Sequence, residues 1–127
     1  MKLVIDNQNR NLNDDIVIND CQKDKALDMS NMLDGHKHTL LSLERSDKSR
    51  LYVGGGADWC IVTCTTAKNE NLTLVNLHGE EDETIELCAG GQFADFPKSI
   101  VVNKHMATKV IDSFFEDNES YLEWEKE

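Results

Sequence analysis

The sequence is poor in proline, aromatic residues and positive charge. Its 127 residues include one proline, 6% Phe, Trp and Tyr, and 13 Lys and Arg against 24 Asp and Glu, for a formal net charge of −11. With carboxylates in such excess, no surface suited to a phosphate backbone or an anionic lipid headgroup is expected, and nucleic-acid binding is disfavoured. No apolar run approaches the ~20 residues that span a bilayer. The segment Met1-Lys2-Leu3-Val4-Ile5-Asp6 turns polar after three apolar residues, where a secretory signal needs about 7–15. A soluble cytoplasmic protein without membrane contact is therefore expected. The length fits one domain spanning 1–127, and the 39% hydrophobic content is enough for a modest core.

Several chemical signatures are also missing. Cys21, Cys60, Cys64 and Cys88 contain no C-x-x-C pair and no scaffold-like spacing, so buried thiols are expected in place of disulfides or a zinc site. Cys60 and Cys64 fall on one expected strand, where four residues at ~3.3 Å each set them too far apart for a bridge. Gly54-Gly55-Gly56 matches neither phosphate-loop pattern, and a tight turn between strands is expected there. His36 and His38 would share a face only on a strand, and their flanks Asp34-Gly35 and Lys37 suggest an exposed loop. His78 and His105 have no recognisable partner, so structural roles are expected for both. Glu80-Glu81-Asp82-Glu83 lacks the glycine-punctuated calcium-loop spacing and suggests a solvated turn. No nucleophile elbow is present. Accordingly, no catalytic residue, cofactor or metal is expected. A small metal-dependent hydrolase built on His36 and His38 or on the acid run is the alternative enzymatic reading, and an adaptor or homodimerisation module is another.

The apolar pattern that is present predicts an α+β fold. Leu3–Ile5 and Ile16–Ile18 suit a hairpin or two edge strands. A helix is expected from Asp20 through Ala26, Met29, Met32 and Leu33, with Gly35 at its C-terminal cap. Short strands are expected over Thr39–Leu43, Leu51–Val53, Trp59–Thr66, Leu72–Leu77 and Thr84–Leu87, with connections too short for crossover helices, which implies antiparallel pairing. Met106, Ala107, Val110, Ile111, Phe114 and Phe115 draw one helical stripe that Asn103 can cap, and Pro97 marks a turn or strand edge. The prediction is an antiparallel meander of about five to seven strands packed against a C-terminal amphipathic helix, with an additional N-terminal helix.

Charge is unevenly distributed along the chain. Residues 1–50 carry eight basic and nine acidic side chains, net −1, whereas residues 51–127 carry five and fifteen, net −10. Between Lys68 and Lys98 there is no Lys or Arg, while Glu70, Glu80, Glu81, Asp82, Glu83, Glu86 and Asp95 all fall there. Such a surface either steers basic proteins toward itself or serves solubility alone, and composition by itself favours solubility.

From Leu51 to Trp124 the sequence resembles the Imm-one family of bacterial polymorphic-toxin immunity proteins. The resemblance is carried by Leu51-Tyr52-Val53-Gly54-Gly55-Gly56, an aliphatic strand pair, Gly90-Gly91 leading to Phe96-Pro97, Ile100-Val101-Val102, the Ala107/Val110/Ile111/Phe114/Phe115 helix and Leu122-Glu123-Trp124. The chain departs from the family's pattern in having neither Gly nor Pro between Glu116 and Tyr121. The resemblance implies a non-enzymatic cytoplasmic antitoxin of contact-dependent growth inhibition type. Such a protein binds and neutralises a cognate toxin domain, expected to be a basic nuclease or deaminase; a monomer until it meets that toxin is expected here, with a homodimer as the alternative. On this reading the toxin-binding surface is expected at Asp58, Trp59, Glu80, Glu81, Asp82, Glu83, Glu86 and Asp95, whereas Trp124 and the helix stripe support the fold.

Overall fold

The structure, a computed structural model, describes residues 1–9, 12–116 and 123–126. Its strands in chain order are β1 (Lys2–Ile5), β2 (Gln8–Asn9), β3 (Leu12–Asn13), β4 (Ile16–Ile18), β5 (Leu40–Glu44), β6 (Arg50–Gly55), β7 (Trp59–Thr65), β8 (Asn71–Leu74), β9 (Thr84–Ala89), β10 (Gln92–Pro97), β11 (Val102–Asn103) and β12 (Trp124–Lys126). Helix α1 (Lys23–Ser30) lies between β4 and β5, a 3₁₀ turn at Lys98–Ile100 lies between β10 and β11, and α2 (Lys104–Glu116) follows directly on β11. The principal sheet runs β12-β8-β7-β6-β5-β1-β4, with β11 also paired to β7, and every pairing is antiparallel. This is the α+β meander with a C-terminal helix that the residue pattern predicts.

Side-chain alternation along the strands makes one face of the sheet apolar. Register aligns Leu3, Leu43, Leu51 and Cys64 in one row and Ile5, Leu41, Val53 and Val62 in the next. Both helices cover this face and contact one another. From α2 come Ala107, Val110, Ile111 and Phe114, and from α1 Ala26 and Met29, all in the same buried cluster. Trp124 packs against that cluster too, consistent with a supporting role. Each fully buried Leu, Ile or Phe stabilises by about 1.5–3 kcal/mol relative to exposure. The Asn103 side chain caps α2 by accepting the Met106 amide at 2.8 Å. Arg45 closes the other end of the helix. Its guanidinium lies 3.8 Å over the Phe114 ring and donates to the Phe114 carbonyl through Nε at 3.0 Å and Nη2 at 2.6 Å.

A separate hairpin, β9–β10, lies against β6 on the opposite side. Pro97 ends β10 and, having no N–H, suits that edge position. The tip of this hairpin is tied down through a buried carboxylate. Asp6, 5% exposed, accepts the amides of Thr39 (2.5 Å) and Leu40 (2.9 Å) at Oδ1, and the Thr39 hydroxyl and Gln8 Nε2 (2.9 Å) at Oδ2. The Thr39 hydroxyl in turn accepts the Gly91 amide at 2.9 Å.

Several local expectations are corrected. Helix α1 starts at Lys23 and not at Asp20, because Asp20 sits at φ 54°, in the left-handed region. The helix ends at Ser30 with Asn31 as its cap, so Gly35 is not the cap but turns the chain later, at φ 77°. The glycine triplet is a turn only in part, since Gly54 and Gly55 belong to β6 and Gly56 alone opens the short connection to β7, its amide donating to the Trp59 carbonyl at 3.0 Å. A β-carbon on Gly54 would lie 2.8 Å from that of Ala89 in the overlying hairpin, and one on Gly55 would lie 2.4 Å from the Trp59 carbonyl oxygen. The chain leaves β8 at Leu74 and does not continue to Leu77, because Asn76 hydrogen-bonds away from the sheet, as described below. Among the described residues no helix is long and apolar enough to cross a membrane.

Candidate protein-docking site

Strand β7 has an unusual outer edge. Strand β8 covers its far half, pairing with Thr63 to Thr65, and β11 covers its near half, pairing with Trp59 and Cys60. Where one short strand gives way to the other, a groove of about 710 Å³ opens between the β8–β9 connection and the start of α2. Leu74, Val101 and Val102 are nearly fully buried and line it. Ile85 and Met106 are half-buried in its walls, while Trp59 (44% exposed) and Leu77 (71% exposed) stand at its rim.

The Leu77 rim is fixed by hydrogen bonds. Asn76 donates from its amide to the Ser99 carbonyl at 2.7 Å and from Nδ2 to the Val101 carbonyl at 2.9 Å, while its Oδ1 accepts the His78 amide at 3.1 Å. The Gly79 amide returns to the Asn76 carbonyl at 3.1 Å, and the Lys98 amide reaches the Glu83 carbonyl at 2.8 Å. A β-carbon at Gly79 would lie 2.1 Å from the Lys98 carbonyl oxygen, so the loop lies against the 3₁₀ turn too closely for any side chain there.

The eight acidic and aromatic residues singled out in the sequence are distributed around this feature. Trp59 lines the groove, and Glu80, Glu81, Asp82 and Glu83 occupy the loop between two other lining residues, Gly79 and Ile85. Glu86 and Asp95 lie further along the hairpin, directly opposite one another across β9 and β10. Like charges in that register destabilise the hairpin. All eight residues are exposed. Glu83 forms an ion pair with Lys98 at 2.8 Å, but among the described residues Glu80, Glu81, Asp82, Glu86 and Asp95 take part in none. Asp58 is oriented differently. Its carbonyl accepts the Lys104 amide at 3.1 Å, and its charge acts on the Lys104 ammonium. Burial pushes the Lys104 pKa down, against the opposing pull of Cys60, Asp58 and Asp34, and its Nζ donates to the Gly56 and Leu33 carbonyls at 3.0 and 3.4 Å.

Sequence reasoning missed the apolar half of the site, namely Leu77, Ile85, Val101 and Met106. Asn76-Leu77-His78-Gly79 carries the signal of an Asx turn, which would have taken Leu77 out of the strand.

The histidines and cysteines occupy other places. His38 is 7% exposed and not in an open loop, because its Nδ1 hydrogen-bonds the Asp6 carbonyl oxygen at 2.8 Å. His36 is exposed on a bend and does not share a strand face with it. Asp34 Oδ1 accepts the amides of His36, Lys37 and His38 within 3.1 Å; burial raises this carboxyl's pKa, and those bonds outweigh it to leave a net lowering. His78 and His105 are exposed, contrary to the structural roles expected of them. Asp6, His38 and Thr39 lie close together but do not form a catalytic relay. The Thr39 hydroxyl is 0% exposed and donates to Asp6, while His38 bonds a main-chain oxygen. All four cysteines are buried thiols outside any disulfide, and burial pushes the Cys60 thiol pKa up. Among the described residues no group of three or more His, Cys, Asp or Glu is placed to hold a metal ion.

No protein-family model matches the sequence, and a search among curated proteins returns no match.

Proposed function

We propose that the protein is a non-catalytic inhibitor that captures a positively charged partner, in the immunity role that its resemblance to toxin-neutralising proteins implies. The observation that carries this reading is the set of exposed carboxylates Glu80, Glu81, Asp82, Glu86 and Asp95, none ion-paired among the described residues and all on one loop and the hairpin that continues it. Three cations elsewhere are engaged locally, Lys23 with Asp112 and Glu116, Arg50 with Glu44, and Lys126 with Glu70, and none of these lies on the acidic loop or hairpin. The folded protein therefore presents uncompensated negative potential at the end of the sheet where β7 begins. The Glu86–Asp95 juxtaposition, unfavourable in the free protein, is relieved when a partner's cation enters between the two.

A toxin that acts on nucleic acid needs a positive cleft, and an acidic partner occupies it in place of the phosphate backbone. Long-range attraction speeds the encounter and gives it a salt dependence. The test is association with the basic toxin domain encoded beside this chain, measured for wild type and for a Glu80→Lys/Glu81→Lys/Asp82→Lys triple variant. Glu83 is left in place because it holds Lys98. The variant is expected to fold normally, to associate about 10-fold or more slowly at low salt, and to lose most of its salt dependence. Equal association rates for the two proteins, or no rescue of cells from that toxin by the wild type, would refute the proposal.

A further inference from the structure

We infer that the groove beneath Trp59 and Leu77 is the anchoring site for one extended segment of the partner, a segment that combines large apolar side chains with flanking Lys or Arg. The inference rests on the reading of the protein as a binder of basic partners, and it adds the place where affinity, as distinct from attraction, is generated.

Three observations support it. The first is the groove itself. A volume of about 710 Å³ lies in the range that buries most of a drug-sized ligand, so it holds more than one side chain. The second is preorganisation. Leu77 is one of the most exposed large apolar residues of the molecule, yet its loop is held by the Asn76 hydrogen bonds to Ser99, Val101 and His78 and by the close approach of Gly79 to Lys98. A rim already fixed in place loses little conformational freedom when a ligand seats. A half-exposed tryptophan facing such a rim is the residue type most enriched among binding hot spots.

The third observation is charge complementarity, which selects the occupant. The groove lining and its loop carry Glu80, Glu81, Asp82, Glu83 and Glu123 against Lys98 and Lys109, and Lys98 is neutralised by Glu83. His78 also lines the groove. Lys98, Lys109 and Glu123 line the groove itself, and the carboxylates of the adjoining loop, Glu80 to Glu83, make the charge of the whole set negative. A segment of apolar residues alone therefore gains less than one whose ends are cationic. An acidic amphipathic segment is repelled. A second copy of this chain, itself at −11, brings the wrong charge to the same place.

The test is an NMR titration of methyl-labelled protein, reading Leu77, Ile85 and Met106, with three synthetic hexapeptides. One is basic and apolar (Lys-Arg-Leu-Phe-Lys-Arg), one has Ser in place of Leu-Phe, and one has Glu in place of every Lys and Arg. The first is expected to shift those three methyl groups saturably and the other two to leave them unmoved. Leu77→Ser, at a position too exposed to affect folding, should weaken binding about 10-fold or more, whereas Phe93→Ser, which removes an equally exposed residue outside the groove, should not. Raising NaCl from about 50 to about 500 mM should weaken it further. The inference is overturned by equal shifts with the acidic peptide, by no saturable shift at millimolar peptide, by indifference to Leu77→Ser, or by the same shifts appearing without peptide as protein concentration rises, which would mean self-association. Because Glu80, Glu81 and Asp82 can be reversed without altering the groove lining, loss of peptide binding with retained charge-steered toxin association would remove this site alone. Loss of both would remove the functional reading as well.

Discussion

Replacing Asp6 tests the account of how the hairpin is held in place. Asparagine retains Oδ1 for the Thr39 and Leu40 amides but sets an NH₂ group against two donors, the Thr39 hydroxyl and Gln8 Nε2. Hydrogen bonds to a charged acceptor contribute about 1.5–3 kcal/mol each. Gln8, half-buried, can rotate and recover its own bond. Thr39 is fully buried and already accepts the Gly91 amide, so its hydroxyl proton is left without a good acceptor. Asp6→Asn is therefore expected to cost about 2–3 kcal/mol, and Asp6→Ala, which strands two buried amides as well, about 4 kcal/mol or more. These are large fractions of a total stability of about 5–15 kcal/mol. In urea, with a slope of about 1–3 kcal/mol per molar, the Asn variant should unfold roughly 1–2 M earlier than wild type. Burial raises the Asp6 pKa, but the bonds from Gln8, Thr39 and Leu40 outweigh it, so the folded-state value is lowered. The stabilisation is thus fully present above the unfolded value of about 3.9 and is lost as pH falls through the lower folded value. The difference between wild type and Asp6→Asn should narrow below about pH 4. A difference under about 0.5 kcal/mol at pH 7, or one that stays constant down to about pH 2, would refute the assignment of Asp6 as an ionised anchor.

Phe114→Ala should destabilise by about 3–5 kcal/mol in the same urea assay, since the ring is fully buried and carries Arg45; a loss of a few tenths would mean that α2 does not pack as described. Gly79→Ala should lower the melting temperature by several degrees and weaken protection of the Lys98 amide against exchange, because the added carbon meets a main-chain oxygen; an unchanged exchange profile would mean that the loop is not held against Lys98. The four thiols should resist iodoacetamide in the folded protein at pH 8 and all react in denaturant; rapid labelling of Cys60 without unfolding would contradict its burial and raised pKa.

The elements with strong periodicity were legible in the sequence. Met106 to Phe115 repeats at helical spacing, and its buried members face the sheet as the pattern predicts, with Asn103 as the cap. Strands β5 and β7 alternate cleanly because one face is covered. The errors fall where long-range contacts override local preference. The Gly54–Gly55 pair suggests a turn until the hairpin crossing above it is known, and Val75 to Leu77 suggests a strand until Asn76 meets Ser99 and Val101. Strands β11 and β12, two and three residues long, leave almost no periodic signal; they exist because β7 and β8 have open edges for them to cover. Among the site residues, the carboxylates were visible as a charge run, but the groove beside them was not. Its walls come from residues near 59, 77, 85, 101 and 106, brought together only by the sheet's topology.

The divided edge of β7 bears on when the groove beside it is completed during synthesis. Residues 98–109 supply the 3₁₀ turn, β11 and the helical start that wall the groove, and they leave the ribosome after the acidic loop and hairpin have already emerged. A nascent chain that has reached only residue 97 displays its carboxylates without a docking groove, so it attracts cations but has nothing to hold an apolar side chain. The groove is completed together with the docking of α2, when the core closes. If the protein binds a basic partner as proposed, a variant that frays α2 should release that partner before it loses the sheet, with dissociation quickening while the electrostatic encounter rate stays the same.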